Sequence, residues 1–475
     1  RPRRFGKSLF LSTLGEYFSG NKELFRGLDV YDDVPSVRFP VLRFDFSRLS
    51  SSTAANLNET LLNNLRGLAK EFSIDAESEF IGDFLSELVR GISNSHNKRV
   101  VILIDEYDKP IVDHLDNPEL ATANREILRE FYSVIKSLDD QIEFMFVTGV
   151  SKFTKVSLFS GLNQITDITL DEKFAAVCGY TQAELELRFG KFIKNTSSVI
   201  YLDEPELMEK IRFWYNGYSW DGKTKLYNPY AILNFFSISR FRNYWWDTGT
   251  PGYLLKLIKS GNYDITDFSN PEITESTSQF EDLSRPDLMS LLFQTGYLTI
   301  SRIVLHYGME KFYLAVPNYE VQNSLYSMLF ADKTGKPLTD INQKSFDFLY
   351  YLDNLEIERF RETLVYLFSQ IPYQLHIPEE KYYHSLFIMI MHMAGINFQA
   401  EVSTPAGRID GVIEFPNSVF VIEFKYNKPA ADGLDQILKK KYYEKYLSGG
   451  KKLYLLGAGI TRNNIEVVCK EYSKL

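Results

Sequence analysis

The sequence predicts an α/β protein in three parts: a parallel sheet near the N-terminal end, a helical, aromatic-rich middle, and a smaller α/β domain at the C-terminal end. Three observations carry this. Residues 99–108 (RVVILIDEYD) form a continuous apolar run closed by acids, as a parallel strand buried on both faces requires. Residues 408–415 and 419–426 both have strand character and flank Pro-Asn-Ser, which predicts an antiparallel hairpin. Between these ends the text is helical, and it contains all four Trp. With 475 residues, 44% hydrophobic, the chain has apolar material for two or three cores. The boundaries expected from these shifts are 1–200, 201–284, 285–370 and 371–475.

Residues 1–8 read RPRRFGKS, and Gly6, Lys7 and Ser8 match the end of the Walker A pattern, G-x-x-x-x-G-K-[ST]. The first Gly of that pattern falls on Arg1. The chain opens without Met and in mid-loop, so it reads as a fragment whose first strand lies upstream. Backbone N–H groups at Gly6 and the following helix start suit phosphate, Lys7 suits the β- and γ-phosphates, and Ser8 suits Mg²⁺.

Residues 40–47 (PVLRFDFS) supply a strand, and the 99–108 run ends in Asp105-Glu106, where open α/β sheets place their ligands. This is the Walker B pattern, with Asp105 holding Mg²⁺ through water and Glu106 polarising the attacking water. A third strand, 142–147, ends in Thr148-Gly149, which places Thr148 as a sensor of the γ-phosphate. The fold expected is a P-loop NTPase with ATP and Mg²⁺ as cofactors.

Trp214, Trp220, Trp245 and Trp246 cluster with Tyr215, Tyr218, Tyr227, Tyr230, Phe235 and Phe236. Such rings can stack on single-stranded bases. Core packing is the preferred reading, because Trp and Phe bury large apolar areas. Their place after the ATPase strands suits a helical lid or winged-helix-like segment, and 285–370 reads as a connector of mixed strands and helices.

At the C-terminal end, period-two alternation puts Glu423 and Lys425 on one face of the second hairpin strand and Phe424 on the other. That face can meet Asp410 on the neighbouring strand. Two carboxylates beside an ammonium form a hard-oxygen site for Mg²⁺ or Mn²⁺, and the chemistry it suits is phosphodiester hydrolysis. A helix over 379–395 and a strand over 397–402 precede the hairpin. A helix over 434–447, with Gln436, Lys440 and Tyr443 on one face, and a strand over 451–456 follow it.

This α-β-β-β-α-β order and the D-x12-E-x-K pattern resemble the PD-(D/E)XK nuclease superfamily. The wording of roughly the last hundred residues (YHSLF, VFVIEFKY, DQILKKKYYEKY) is similar to the nuclease-like domain of bacterial AAA-ATPase-like proteins. The words RPRRFGKSLFLSTLGEYF, ILIDEYDKPI, FVTGVSKF, WYNGYSW and LYNPYAILNFF resemble the same family, so the likeness spans nearly the whole chain. It implies that Asp410 and Glu423 bind metal, that the Phe424 carbonyl completes the shell, that Lys425 positions water, and that Gln436 is the helix glutamine of many members. It also implies a further carboxylate from Glu379, Glu380 or Glu401. The basic filling of the phosphate loop would bring Arg3 or Arg4 near phosphate.

The two Cys, Cys178 and Cys469, are far apart and without a C-x-x-C pair, which disfavours a disulfide framework and a zinc ribbon. No apolar stretch is long enough to span a bilayer, and no signal peptide is visible, so a cytoplasmic protein is expected. The net charge of −9 argues against coating nucleic acid over the whole surface. Contact would be local, and Lys439, Lys440, Lys441, Lys445, Lys451 and Lys452 lie next to the proposed metal site as either a phosphate-tracking patch or a solvated face. His384 and His392 share a helical face with Glu380, which reads as the polar edge of an amphipathic helix rather than a second metal site. ATP and DNA are the expected partners, and an oligomer is compatible with the sequence. The function expected is an ATPase coupled to a metal-dependent endonuclease; the alternative is a nucleotide-dependent switch whose C-terminal domain binds nucleic acid or protein without cleaving it.

Overall fold

The computed structural model describes residues 1–151, 165–248, 271–274, 287–334, 347–370, 380–394, 398–404, 407–447, 450–461 and 464–472. These fall into two compact units with a boundary between Pro317 and Asn318.

The first unit is built on a three-stranded parallel sheet, ordered β1 (Val41–Asp45), β2 (Val100–Asp105), β3 (Ile142–Val147). All six residues of β2 are buried, as a central parallel strand demands. Alternation sends Val101 and Leu103 to one face, where Leu11 of helix α1 (Lys7–Phe18) packs on them. The other face receives helices α2 (Ala54–Glu71), α3 (Ile81–His96) and α4 (Pro118–Ile135), which pack on one another. Phe131 of α4 meets Phe44 of β1 edge-on, with ring centroids 5.3 Å apart. Strand β3 is the sheet's edge, and its residues are half-buried throughout.

Helix α5 (Gln182–Ile200) starts in a capping box of Thr181 and Glu184. Helix α6 (Glu204–Tyr215) runs into the short hairpin of β4 (Asn216–Tyr218) and β5 (Leu226–Tyr227), and α7 (Pro229–Ile238) follows. Tyr215, Tyr227 and Phe235 lie in one buried cluster with Leu185 and Ile211, and Trp220 and Trp245 are also buried. Core packing is therefore what these rings do; Trp214 and Trp246 are only half-buried. Strand β6 (Glu272–Thr274), helix α8 (Leu288–Thr295) and strands β7 (Thr299–His306) and β8 (Met309–Ala315) complete the unit, with the strands ordered β6-β8-β7.

The second unit opens with α9 (Tyr319–Thr334), α10 (Ile357–Ser369) and α11 (Glu380–Ala394). Its sheet contains β9 (Phe398–Thr404), β10 (Gly407–Glu414), β11 (Ser418–Tyr426), β12 (Lys452–Ile460) and β13 (Ile465–Glu471), ordered β13-β12-β11-β10-β9. Only β11 and β12 run parallel, joined through helix α12 (Ala430–Lys440). The hairpin β10–β11 is antiparallel, with Gly411 opposite Ile422. Helix α11 lies on the Phe424 face, where Phe387 approaches to 4.2 Å between centroids. Helix α12 lies on the other face, with Ile437 against Val421 and Leu455.

Two features differ from the sequence expectation. The helix expected over 434–447 ends at Lys440, because Lys441 takes a left-handed φ of 54°, and Tyr442–Tyr446 form a separate 3₁₀ turn. Tyr443 therefore leaves the face of Gln436 and packs on Tyr472 of the chain end, centroids 4.3 Å apart. Strand β13, which the sequence reading did not include, closes the far edge of the sheet. No helix among the described residues is long and apolar enough to cross a membrane.

Candidate functional site

The first site forms where α1 begins. Gly6 is its N-cap with φ 94°, and a Cβ there would meet nothing, so backbone angle rather than space calls for glycine. No side chain caps the helix and its first turn holds no acid, which leaves the opening N–H groups available to an anion. Lys7 Nζ donates to the Pro2 carbonyl at 2.8 Å. Burial pulls the Lys7 ammonium below its usual range, while Asp108, Glu106 and Asp105 act in the opposite sense. Ser8 is exposed at the first turn.

β2 ends at Asp105, whose Oδ1 accepts the Glu106 N–H at 3.0 Å. Glu106 has a φ of 51°, unusual for a residue with a side chain, and burial raises its carboxyl. Thr148 uses both backbone groups: its N–H donates to Ile104 at 2.9 Å, and its carbonyl accepts from Tyr107 at 3.1 Å. These bonds tie Thr148 to Ile104 and Tyr107 at the carboxyl edge. Asp45, opposite Asp105 in register, is drawn instead to Ser47 and to Arg48.

Asp108, which the sequence reading left without a role, is buried here. It accepts the Val150 N–H at 3.0 Å and the Ser151 N–H, bonds that hold the turn after β3. Burial raises its carboxyl and these N–H donors lower it. A Cβ on Gly149 would lie 2.3 Å from Asp108 Oδ1 and 2.6 Å from the Tyr107 ring, so the tight turn requires glycine.

The phosphate loop itself is gripped by the aromatic middle of the chain. Phe5 is buried edge-on against Tyr218 (4.8 Å) and Trp220 (5.4 Å), and Trp245 Nε1 donates to the Arg3 carbonyl at 3.1 Å. The Arg1 guanidinium stacks 4.0 Å over Trp220 and donates to four carbonyls, those of Thr169, Phe174, Ala175 and Val177. Arg4 lies 5.2 Å over Tyr230. Sequence spacing gave no signal for this grip, since the partners lie 168 or more residues apart.

The second site lies in the C-terminal sheet. Asp410 of β10 accepts the Phe424 N–H at 2.8 Å through Oδ2. Glu423 is buried, with 2% of its side chain exposed; its Oε1 accepts from Lys425 Nζ at 3.2 Å and from Gln436 Nε2. Its Oε2 is buried without a hydrogen-bond partner among the described residues. Burial, then the Asp410 charge, push the Glu423 carboxyl up to about 7, against the pull of Lys425. Lys425 Nζ also donates to the Phe424 carbonyl at 2.7 Å. The structure thus brings Asp410, Glu423, Lys425 and Gln436 together.

Glycines make this convergence possible. A Cβ on Gly457 would lie 2.1 Å from the Ala430 carbonyl oxygen, and one on Gly433 would lie 2.8 Å from the Glu423 carbonyl oxygen. Close backbone approach of α12 to β11 and β12 is what delivers Gln436 to Glu423. From the other face, His384 Nε2 meets the Asp410 carbonyl at 3.1 Å, so this histidine supports the strand. Buried Tyr442, also outside the sequence reading, bonds Gln436 and is raised by burial, then by the Glu423 and Asp410 charges.

Glu379 lies outside the described residues, as do the side chains of Glu380, His392 and Glu401. Among the described residues, no group of three or more His, Cys, Asp or Glu is placed to hold a metal ion. The donor set that is present fits a divalent cation: two hard carboxylates, one with a buried, unsatisfied oxygen.

Residues 1–159 match the model of a family described as predicted AAA-ATPase, and residues 378–470 match that of the PD-(D/E)XK nuclease superfamily. The chain is 36% identical over 476 residues to a protein of Azotobacter chroococcum mcd 1 described as "Uncharacterized protein in vnfD 5'region", covering 98% of this chain and 90% of that one. No solved structure matches. The chain belongs to the AAA-ATPase-like family whose C-terminal domain is of the PD-(D/E)XK nuclease superfamily.

Proposed function

We propose that the chain binds and hydrolyses ATP at its N-terminal loop and hydrolyses DNA phosphodiesters at its C-terminal metal site. One observation carries the second half: a buried carboxylate, Glu423, with one oxygen unsatisfied, set beside Asp410 and Lys425. A surface ion pair would be solvated on both partners; this one is not.

Asp410 and Glu423 would hold the cation, with the Phe424 carbonyl as a third oxygen. When bound, Mg²⁺ or Mn²⁺ supplies charge neutralisation at the phosphoryl group and lowers the pKa of water. The chain's own residues then have separate tasks. The Phe424 N–H fixes Asp410, Gln436 fixes Glu423 Oε1, and Lys425, tethered by its neighbour's carbonyl, is placed to orient water and face developing negative charge.

At the N-terminal site the free N–H groups of α1, with Gly6 at its start, receive phosphate, and Lys7 exchanges the Pro2 carbonyl for phosphate oxygens. Ser8 and Asp105 would hold Mg²⁺, Glu106 would act on water, and Thr148 would sense the γ-phosphate. A cytoplasmic setting belongs to the same reading.

Full-length protein incubated with supercoiled plasmid and Mn²⁺ or Mg²⁺ tests this. Nicking that vanishes in Asp410→Ala and in Lys425→Ala supports the nuclease. DNA that stays intact while remaining bound supports the nucleotide-dependent switch. Loss of ATP binding in Lys7→Ala tests the other half.

A further inference from the structure

The basic segment after the metal site does not act as one block. Lys441 pairs with Glu444 at 3.5 Å, and Lys451 pairs with Glu414 at 3.4 Å. Lys445 lies over the Tyr446 ring at 5.6 Å. Lys439, Lys440 and Lys452 are exposed and have no acidic partner among the described residues. Two of these three follow Gln436 by three and four residues on α12, so they continue its flank of the helix. At 1.5 Å rise per residue they stand about 4.5–6 Å farther along the helix axis than Gln436. Gln436 touches Glu423, and so the free cations begin one helical turn from the proposed reacting centre.

The rest of the chain makes this local excess meaningful. With a net charge of −9, the chain as a whole repels a polyanion, and approach is favoured where cations locally outnumber acids. The last turn of α12 carries Lys439 and Lys440 with no acid, and Lys441 follows immediately. Its exposed ammonium groups can pair with phosphate oxygens, and they carry no fork for reading base edges.

We infer that Lys439 and Lys440 at the end of α12 form a track for a nucleic-acid backbone, holding the phosphates next to the one at the Asp410–Glu423 site. This rests on the proposed nuclease reading and extends it to a surface and a mode of contact: sequence-independent, electrostatic and salt-dependent. Lys452, at the start of β12, stands outside this pair and serves as a second arm of the test.

Anisotropy titrations of a labelled DNA duplex with full-length protein, without added divalent cation so that no cleavage competes, provide the measurement. Each lost phosphate contact lowers the slope of log K against log salt by about 0.9, so Lys439→Ala/Lys440→Ala should lower it by roughly 2. The weakening should be equal for duplexes of unrelated sequence. Lys194→Ala, an exposed lysine on α5, should leave the slope unchanged. Both sites are exposed, so the melting temperature should stay at the wild-type value, and Mn²⁺ uptake by calorimetry should be retained. An unchanged slope in the double variant overturns the track, as does a slope lost through Lys452→Ala alone. Wild-type protein that takes up Mn²⁺ without binding DNA also overturns it while leaving the metal site standing; wild-type protein that takes up no Mn²⁺ sinks the metal site separately.

Discussion

Glu423 shows how a single side chain carries both cost and use. Burial and Asp410 move its carboxyl from the ordinary 4.5 to about 7, so the folded protein keeps a proton that the unfolded chain releases. Its stabilising contribution is present below about pH 4.5 and is lost as pH rises through about 7, amounting to roughly 3 kcal/mol. Glu423→Gln should therefore flatten the melting temperature across that window and melt higher than wild type near pH 8. Added Mn²⁺ should restore the wild-type loss and leave the variant unmoved; thermal denaturation at several pH values reads both. At the other end, Gly149→Ala forces a methyl into the Asp108 carboxylate and the Tyr107 ring. Chemical denaturation should register about 1–3 kcal/mol of destabilisation, together with weaker ATP binding as the turn beside Thr148 shifts.

At the scale of elements, helix α12 acts through how closely it lies on the sheet. Gly457→Ala would drive a methyl into the backbone at Ala430 and Leu434, pushing the helix outward and taking Gln436 with it. It should cost about 1–3 kcal/mol and weaken Mn²⁺ uptake, read by calorimetry on the same samples. Gly190→Ala, inside α5 with nothing within 4 Å, should instead stabilise by about 0.5–1 kcal/mol. The two glycines look alike in the sequence. The hairpin β10–β11 was legible there because period-two alternation fixes which side chains share a face, and that placed Asp410, Glu423 and Lys425 together before any coordinates. The strand within 99–108 was legible because a central parallel strand, buried on both faces, must be apolar throughout. The stop at Lys441 was not, since nothing in KKKYYEKY forbids another turn of helix. Asp108 and the Arg1 grip were equally hidden, because their partners come from distant segments, and Tyr442 because it turns back to Gln436 only after the helix stops at Lys441.

For the whole molecule, the phosphate loop and the aromatic middle belong to one compact unit, and all four Trp precede its boundary at Pro317. Trp fluorescence therefore reports that unit alone. ATP at a hundredfold excess over its dissociation constant should stabilise the fluorescence-detected transition by about 2.7 kcal/mol, and Lys7→Ala should abolish the shift. Trp220 and Trp245 touch the loop directly, through Phe5, Arg1 and the Arg3 carbonyl, so ATP should also change their emission in the folded state. The second unit, with no Trp, would remain silent in this signal while responding to divalent cation.

The most direct measurement is calorimetric titration of Mn²⁺ into full-length protein near pH 6.5 and near pH 8, in buffers of different ionisation enthalpy. The expected result is uptake at the Asp410–Glu423 site, tighter at the higher pH, with release of up to about one proton at the lower, and its loss in Asp410→Ala. Uptake that persists in Asp410→Ala, or that ignores pH across the Glu423 range, would contradict a cation held between these two carboxylates.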